Sequence, residues 1–546
     1  MPQPKIHKTA HNVEAKLQLY VQSWANQCIT IWGKKKLILS FALGSLSVLA
    51  LPPINLFFVL FFTMPSLVWL LDGAVQTSLK TEAKASSSLL FRLWRKIYGA
   101  RSAFWVGLSF GFGYFFFGLL WIGEAFLVDA AAHILMMPFA ITLLPLLLAI
   151  FWGLATLTAR LFWAGGVRNV IILAISFTFW EFLRGHIFSG FPWNLLGFAF
   201  DFSTAMLQSA AIWGIYGLTF IVTLLSLSMA LMVNNGFTMR RVLLGVFGAL
   251  IVMWAAGNVR LYLHPTQYHD DILLRLVQGN IAQKDKWRTE MRSVIANRYL
   301  ELSARETSAE NTGLSDITHL IWPESALPFL LTPNSSFMRQ ATRVLNKNAY
   351  LITGAVRRQI IEGKTEFFNS VLAFDAAGNR LGKYDKYHLV PFGEYLPLSD
   401  LFRKIGIDKL IAMQEDFETG QKPANIYLKN TPAFAVNICF EIIFSGQVVD
   451  AENRPDWILN VTNDSWFGNS IGPYQHLAQA RLRTIEEGLP LVRNANSGIT
   501  AIFDPLGRIV AQLPRGKAAI LDSRLPQKIS PTIFVKLNTF LKENQR

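Results

Sequence analysis

The sequence predicts a membrane-embedded helical bundle followed by a layered α/β domain, and three observations carry that prediction. The 546 residues are 52% hydrophobic and only 16% charged, too apolar for an ordinary soluble protein and long enough for two or more domains. The apolar residues are concentrated, with long uncharged runs filling positions 37–257 and mixed, charged sequence filling 258–546. In that second part, short apolar runs alternate with polar helical stretches, the signature of strands and helices stacked in layers.

Residues 1–36 are polar and basic, with Lys5, Lys8, Lys16 and Lys34-Lys35-Lys36. This is far longer than the charged start of a signal peptide, so the first apolar run is expected to stay as an anchor. The helical membrane domain is placed at 37–258, with apolar runs at 37–52, 55–72, 103–126, 133–159, 169–187, 206–233 and 242–258. Most reach the roughly 20 residues a helix needs to cross a bilayer, which predicts about seven spans. The first two are short, and Leu51-Pro52-Pro53-Ile54-Asn55 between them suits a tight hairpin. Basic residues (Lys80, Lys84, Arg92, Arg95, Lys96 and Arg101, then Arg160 and Arg168, then Arg240 and Arg241) fall in alternate loops. That alternation puts the N-terminus in the cytoplasm and, after an odd number of crossings, residue 258 outside. Glu181 and Arg184 sit inside the fifth run, where a local ion pair accounts for them. Phe191-Pro192-Trp193-Asn194 reads as an interfacial aromatic turn or the lining of a lipid entrance. The net charge of +15 lies largely in loops beside the apolar runs, and no nucleic-acid motif accompanies it, so nucleic acid is not an expected partner.

From 259 to 520 the pattern is that of the soluble domain. Strands are expected at 273–277, 319–322, 349–354, 367–374, 380–384, 457–461, 490–494, 499–503 and 508–512, with helices at 284–306, 334–347 and 473–487. Gly378-Asn379 marks a hairpin. A tail at 521–546 ends in Ile533-Phe534-Val535-Lys536-Leu537, too short and too charged to cross a membrane. No nucleotide-binding glycine fingerprint, P-loop or His-Glu-x-x-His metal motif occurs, so neither cofactor nor metal is expected.

Only two cysteines exist, Cys28 and Cys439, so no disulfide framework is being built. Cys439 closes the apolar run Pro432-Ala433-Phe434-Ala435-Val436-Asn437-Ile438. Taken alone, it reads as an inert core thiol. Two other strand ends change the balance: Glu324 follows Ile321-Trp322-Pro323, and Lys386 follows Lys383-Tyr384-Asp385. A carboxylate can take a thiol proton, and an ammonium favours the thiolate and stabilises an oxyanion.

Glu324, Lys386 and Cys439 resemble the Glu–Lys–Cys triad of the nitrilase superfamily. Val277-Gln278-Gly279-Asn280-Ile281, Trp322-Pro323-Glu324-Ser325-Ala326, Leu389-Val390-Pro391-Phe392-Gly393-Glu394-Tyr395 and Asn463-Asp464-Ser465-Trp466-Phe467-Gly468 are similar to strings of the apolipoprotein N-acyltransferase family. The resemblance implies a nitrilase-like αββα sandwich at the outer, periplasmic face of a bacterial inner membrane. It implies transfer of an acyl chain from a phospholipid onto Cys439 as a thioester, then onto the α-amino group of a diacylglyceryl-cysteine at the start of an apolipoprotein. Cys439 would be the nucleophile, Glu324 the base and Lys386 the oxyanion stabiliser. Glu394 would position Lys386, and Glu441 matches a further glutamate beside the nucleophile; a structural ion pair accounts for either equally well. Trp287 and Trp466 shape the acyl pocket or only stiffen loops. The family usually carries a last span after the soluble domain, which this chain lacks. Phe440 stands where some members carry tyrosine. The enzyme is expected to act as a monomer.

The stretch after Glu394, with Leu401, Phe402, Ile405, Ile407, Leu410, Ile411 and Met413, suits either a membrane-touching lid or packing on the domain's own core. Two other functions use the same pattern: a tethered amidase that passes the acyl group to water, and a non-enzymatic receptor. The intact triad argues against the receptor.

Overall fold

The computed structural model describes residues 6–74, 89–233, 237–307, 313–333, 335–343, 345–404, 416–422 and 424–544. They form two compact units. One comprises Met1–Leu120, Pro138–Leu207 and Ile215–Val259, and the other Trp121–Met137, Gln208–Gly214 and Arg260–Arg546. Lys80 and Lys84 of the first basic loop, and Ile405, Ile407, Leu410, Ile411 and Met413 of the expected lid, lie outside the described residues; the side chains of Arg92, Arg95, Leu401 and Phe402 do too.

The first unit is helical, built from α1 Ile6–Thr30, α2 Gly33–Ser47, α3 Leu60–Asp72, α4 Leu89–Gly118, α5 Met137–Leu161, α6 Gly166–His186, α7 Ala210–Ser228 and α8 Met239–Leu263, less Met137, the start of α7 up to Gly214 and the end of α8 from Arg260, which fall in the second unit. Helices α2 and α4 approach closely because glycines face backbone. A methyl group on Gly44 would lie 1.9 Å from the Phe110 carbonyl oxygen, and one on Gly113 would lie 2.2 Å from that of Phe41. Serines stitch the same pair, Ser40 Oγ donating to Val106 O and Ser109 Oγ to Leu37 O, both at 2.8 Å.

The span count differs from the sequence expectation. Among the described residues, four helical stretches are long and apolar enough to cross a membrane: Ala130–Leu161, Gly166–His186, Ala210–Val233 and Met239–Leu263. A pair bent by 48°, Lys96–Gly118 with Leu120–Phe126, passes together and makes a fifth if it is one broken span and not a re-entrant loop. The first two apolar runs fall short because the turn at 51–56 ends the first and lets the second start only at Phe57. What remains is α2 with 15 residues and α3 with 13, about 20 Å each at 1.5 Å per residue. The expected hairpin between them is present, Asn55 N donating to Leu51 O at 3.0 Å and Leu56 N to Leu49 O at 2.8 Å.

The expected Glu181–Arg184 pair is also there. Arg184 Nη2 lies 2.6 Å from Glu181 Oε2, and both side chains are fully buried. Arg184 Nη1 also donates to Phe191 O, and Asn194 Nδ2 to Gly118 O at 3.0 Å. These bonds turn the Phe191–Asn194 segment inward, with Trp193 1% exposed, so the expected interfacial aromatic turn is buried in the protein.

The second unit contains two six-stranded sheets. The strands are β1 Tyr268–Gln278, β2 His319–Trp322, β3 Tyr350–Ile361, β4 Lys364–Phe374, β5 Arg380–Asp385, β6 Asn425–Ile426, β7 Phe434–Ile438, β8 Trp457–Thr462, β9 Leu491–Ala495, β10 Thr500–Phe503, β11 Ile509–Leu513 and β12 Ala519–Pro526. The sheet orders are β12-β1-β2-β3-β4-β5 and β11-β10-β9-β8-β7-β6. Side-chain alternation builds the layers. Ile321, Ile352 and Val371 point into one core with Phe434, Val436, Leu459 and Val461 of the other sheet. Leu320, Trp322, Leu351 and Leu372 point the opposite way, onto Ile295 and Tyr299 of α9 (Arg292–Ser303) and Met338 of α10 (Ser336–Arg343). Helix α11 (Gly472–Glu487) packs against β9 of the second sheet. The result is the expected αββα sandwich.

Three details depart from expectation. β3 and β4 are one long hairpin turning at Glu362 (φ 51°) and Gly363 (φ 80°). The expected helix at 284–306 breaks after Lys286. β12 runs to Pro526, beyond the expected domain end at 520, because its partner is β1, far upstream in the chain.

Candidate active site

Glu324 lies just beyond β2, Lys386 just beyond β5, and Cys439 just beyond β7. The structure brings all three together. Lys386 Nζ is 3.9 Å from Glu324 Oε1 and 2.8 Å from Glu394 Oε2, and it donates to Glu394 Oε1 at 2.9 Å. Asn369, on β4, bridges the carboxylates, its Nδ2 donating to Oε1 of both Glu324 and Glu394 at 2.8 Å. Val390 N donates to Glu394 Oε2 at 2.9 Å, so both Glu394 oxygens are engaged. Glu324 is held from behind as well. A methyl group on Gly354 would come within 2.5 Å of Glu324 Cα, so only glycine lets β3 approach the turn.

Cys439 has left-handed backbone geometry, φ 52°, rare for a residue with a side chain and typical of a constrained turn. Glu441 secures that turn: its Oε2 accepts from Ile438 N at 2.7 Å. Its Oε1 accepts from Tyr384 OH at 2.8 Å, Tyr387 N at 2.7 Å and His388 N at 3.1 Å. One carboxylate therefore ties the cysteine turn to the segment carrying Lys386.

The Cys439 carbonyl is pinned in turn. His476 Nε2 lies 3.1 Å from it, and Asn460 Nδ2 donates to it at 3.5 Å. His476 Nδ1 faces Asp464 Oδ1 at 3.1 Å, and Arg493 Nη2 donates to Asp464 Oδ2 at 2.7 Å. Burial alone would raise the Asp464 carboxyl, but Arg493 and His476 hold it down at about 2. Gly468, φ 51°, sits against Glu124, and Trp121 meets the Phe467 ring edge-on at 4.6 Å.

The electrostatics separate the three groups. Burial, with the Glu324 charge adding and Lys386 opposing, pushes the Cys439 thiol up to about 12. Lys386 acts in the direction the sequence suggested, but it is outweighed, and the thiol is neutral at rest. Burial also raises Glu324, against the pull of Lys386. Burial would lower Lys386, but Glu394 and then Glu324 reverse it, so the ammonium persists. The cluster thus offers a neutral thiol, a carboxylate poised to accept a proton, and a permanent cation.

Trp287 is exposed and Trp466 half-buried; among the described contacts neither touches the triad. The neighbour of Trp287 does. Lys286 is buried, its Nζ donates to Glu324 O at 3.2 Å, and burial lowers it to about 8 despite Glu324. It was missed because Lys284-Asp285-Lys286 reads as the charged, solvated start of the helix expected at 284–306. Among the described residues no group of His, Cys, Asp and Glu is arranged to hold a metal.

Residues 43–228 match the apolipoprotein N-acyltransferase N-terminal domain, and residues 273–533 match the carbon-nitrogen hydrolase family. A protein named apolipoprotein N-acyltransferase from Rhodopseudomonas palustris is 42% identical over 519 residues, covering 94% of each chain. Another of that name from Bradyrhizobium diazoefficiens is 42% identical over 515 residues, covering 93% of each. Among solved structures, a Saccharomyces cerevisiae member of branch 10 of the nitrilase superfamily aligns with 51% of this chain and 97% of its own, at 17% identity and a TM-score of 0.34.

Proposed function

The chain belongs to the apolipoprotein N-acyltransferase family, and from that premise we propose that it moves a fatty acyl chain from a phospholipid to a lipoprotein amine through a thioester on Cys439. The family supports lipoprotein N-acylation by a membrane-embedded acyltransferase. The observation that carries the finer reading is the convergence of Glu324 and Lys386 beyond the strands of one sheet with Cys439 beyond a strand of the other.

In the first half-reaction Glu324 takes the Cys439 proton as sulfur attacks the ester carbonyl carbon. The carbonyl electrons move onto oxygen, facing the Lys386 ammonium. The C–O bond then breaks, and the lysophospholipid oxygen leaves with the proton from Glu324. In the second half-reaction the α-amine of the diacylglyceryl-cysteine attacks the thioester and gives a proton to Glu324. The C–S bond breaks and sulfur recovers that proton. The two substrates react in turn at one sulfur, which predicts ping-pong kinetics. A neutral resting thiol suits this use, since sulfur becomes nucleophilic only as Glu324 removes its proton. The acyl chains need an enzyme beside the bilayer, and we place the catalytic unit at the periplasmic face of the inner membrane. With the bent pair taken as one span the crossings number five, odd like seven, and a periplasmic catalytic unit then puts the N-terminus on the cytoplasmic side.

The test is purified protein in detergent with acyl-labelled phospholipid and a diacylglyceryl peptide. Label on Cys439 before peptide is added, and N-acylated peptide afterwards, is the expected result. Cys439→Ala should lose both by at least about 10,000-fold. Free fatty acid as the only product would make the enzyme a hydrolase, and full transfer by Cys439→Ala would refute the mechanism.

A further inference from the structure

The C-terminal helix α12 (Ile533–Glu543) presents one face to the protein and leaves another apolar face uncovered. Thr532 caps it, Oγ1 accepting from Val535 N at 3.2 Å. On the docked side, the Phe534 ring lies over Gly214, where a methyl group would meet Cε2 at 2.3 Å. Lys542 Nζ donates to Gly446 O at 3.2 Å, and Thr532 Oγ1 donates to Glu486 O. On the other side, Ile533, Leu537, Phe540 and Leu541 are 51%, 47%, 61% and 55% exposed. Their spacing places them on one stripe of the helix.

The location of that stripe identifies what covers it. Gly214 belongs to the Gln208–Gly214 segment of the same unit, in the first turns of the apolar span Ala210–Val233, where Trp213 is also exposed. The last turn of the span Met239–Leu263 is in this unit too. Arg508 Nη2 binds its end, donating to Leu261 O and, at 2.8 Å, to His264 O, with Tyr262 and Leu263 left exposed. The uncovered stripe thus shares one compact unit with the ends of two membrane spans. At 11 residues, α12 is about 16 Å long, half of what a crossing requires. Four side chains also fall well short of the roughly 800 Å² per partner buried in a stable protein interface. Exposed Lys536 beside the stripe suits anionic headgroups.

We propose that α12 lies flat on the bilayer surface, with Ile533, Leu537, Phe540 and Leu541 in the upper acyl region. Its anchor at Gly446 lies just past the Cys439–Ile443 turn, so the helix holds the end of that turn at headgroup level. The inference uses membrane attachment only and stands or falls independently of acyl transfer.

The experiment uses the full chain in a Cys28→Ala, Cys439→Ala background, with Phe540→Cys carrying an environment-sensitive nitrobenzoxadiazole label. The protein is reconstituted in vesicles of phosphatidylcholine and phosphatidylglycerol. Quenching by lipid with a nitroxide near the headgroup, with a blue-shifted emission and no quenching by aqueous iodide, is the expected result. Iodide quenching without nitroxide quenching would overturn the proposal. Shielding from both quenchers would also overturn it, because protein would then cover the stripe. Leu537→Cys, one turn earlier, provides the same readout if the Phe540 variant does not fold.

Discussion

Glu181 in the membrane unit and Glu324 in the catalytic unit are both buried carboxylates beside a cation, and they are wired in opposite ways. Glu181 Oε1 accepts from Trp152 Nε1 at 2.8 Å and Arg184 Nε at 2.9 Å, and Oε2 from Arg184 Nη2 at 2.6 Å. Each oxygen is occupied, and the pair makes a bidentate fork. The Glu324 carboxylate accepts one hydrogen bond, from Asn369, its nearest cation Lys386 stands 3.9 Å away, and among the described residues Oε2 has no hydrogen-bond donor. A carboxylate with both oxygens engaged by donors serves as an anchor; one held on a single side has an oxygen left to offer a reacting group. By that measure Glu394 and Glu441, left open between structural and functional roles by the sequence, resemble Glu181. Their oxygens serve Lys386 and Val390 in one case, and Ile438, Tyr384, Tyr387 and His388 in the other.

Breaking each cluster separates the two kinds of wiring. Glu324→Gln should lower kcat/KM for acyl transfer by about 1,000-fold, as loss of a general base does. The same variant should melt no earlier at neutral pH. The native carboxyl is raised above its unfolded value, so the native state carries its charge at a penalty once pH passes the unfolded value, and the amide removes that penalty. A large fall in melting temperature would equate Glu324 with Glu181.

Arg184→Met should show the reverse. Stranding the Glu181 charge should destabilise the protein by about 3–5 kcal/mol, while activity per folded molecule stays near that of the wild type. Denaturation in detergent, with activity scaled to folded protein, measures both. Glu394→Gln is intermediate: Lys386 loses its main counter-charge, and kcat should fall about 10- to 100-fold with little change in KM, seen in a full kinetic comparison.

The pH profile gives the smallest effect. Burial, opposed by the backbone donors and Lys386, raises Glu441 to about 6. Between about 4.5 and about 6 the native state therefore binds a proton that the unfolded chain does not. This group's contribution to stability is greatest at the acid end and is lost as pH rises through about 6. Activity should move the other way, because a protonated Glu441 loses its charged grip on the Tyr387 and His388 amides. Parallel melting and rate profiles from pH 4.5 to 7 check the crossing.

The strand ends were legible because alternation is local: Leu320 and Trp322 facing one layer and Ile321 the other can be read from four residues. Glu324, Lys386 and Cys439 could be singled out because each follows the end of such a run. What escaped is non-local. β12 pairs with the first strand of the domain, and nothing near Ala519 announces that partner. The Asp464–His476–Arg493 cluster joins three elements, each of whose residues reads separately as polar. Seven spans are not reached among the described residues because apolar composition sets the length of a run, whereas a turn such as that at 51–56 sets where a helix stops.

A Cys439 thiol that rests neutral makes this enzyme a poor target for generic alkylating agents, which consume preformed thiolate. On the mechanism proposed above, selectivity belongs to electrophiles that behave as an ester does, bringing a carbonyl oxygen to Lys386 while Glu324 draws off the proton. An inhibitor built that way would spare most cellular thiols and react where the carboxylate, ammonium and sulfur meet.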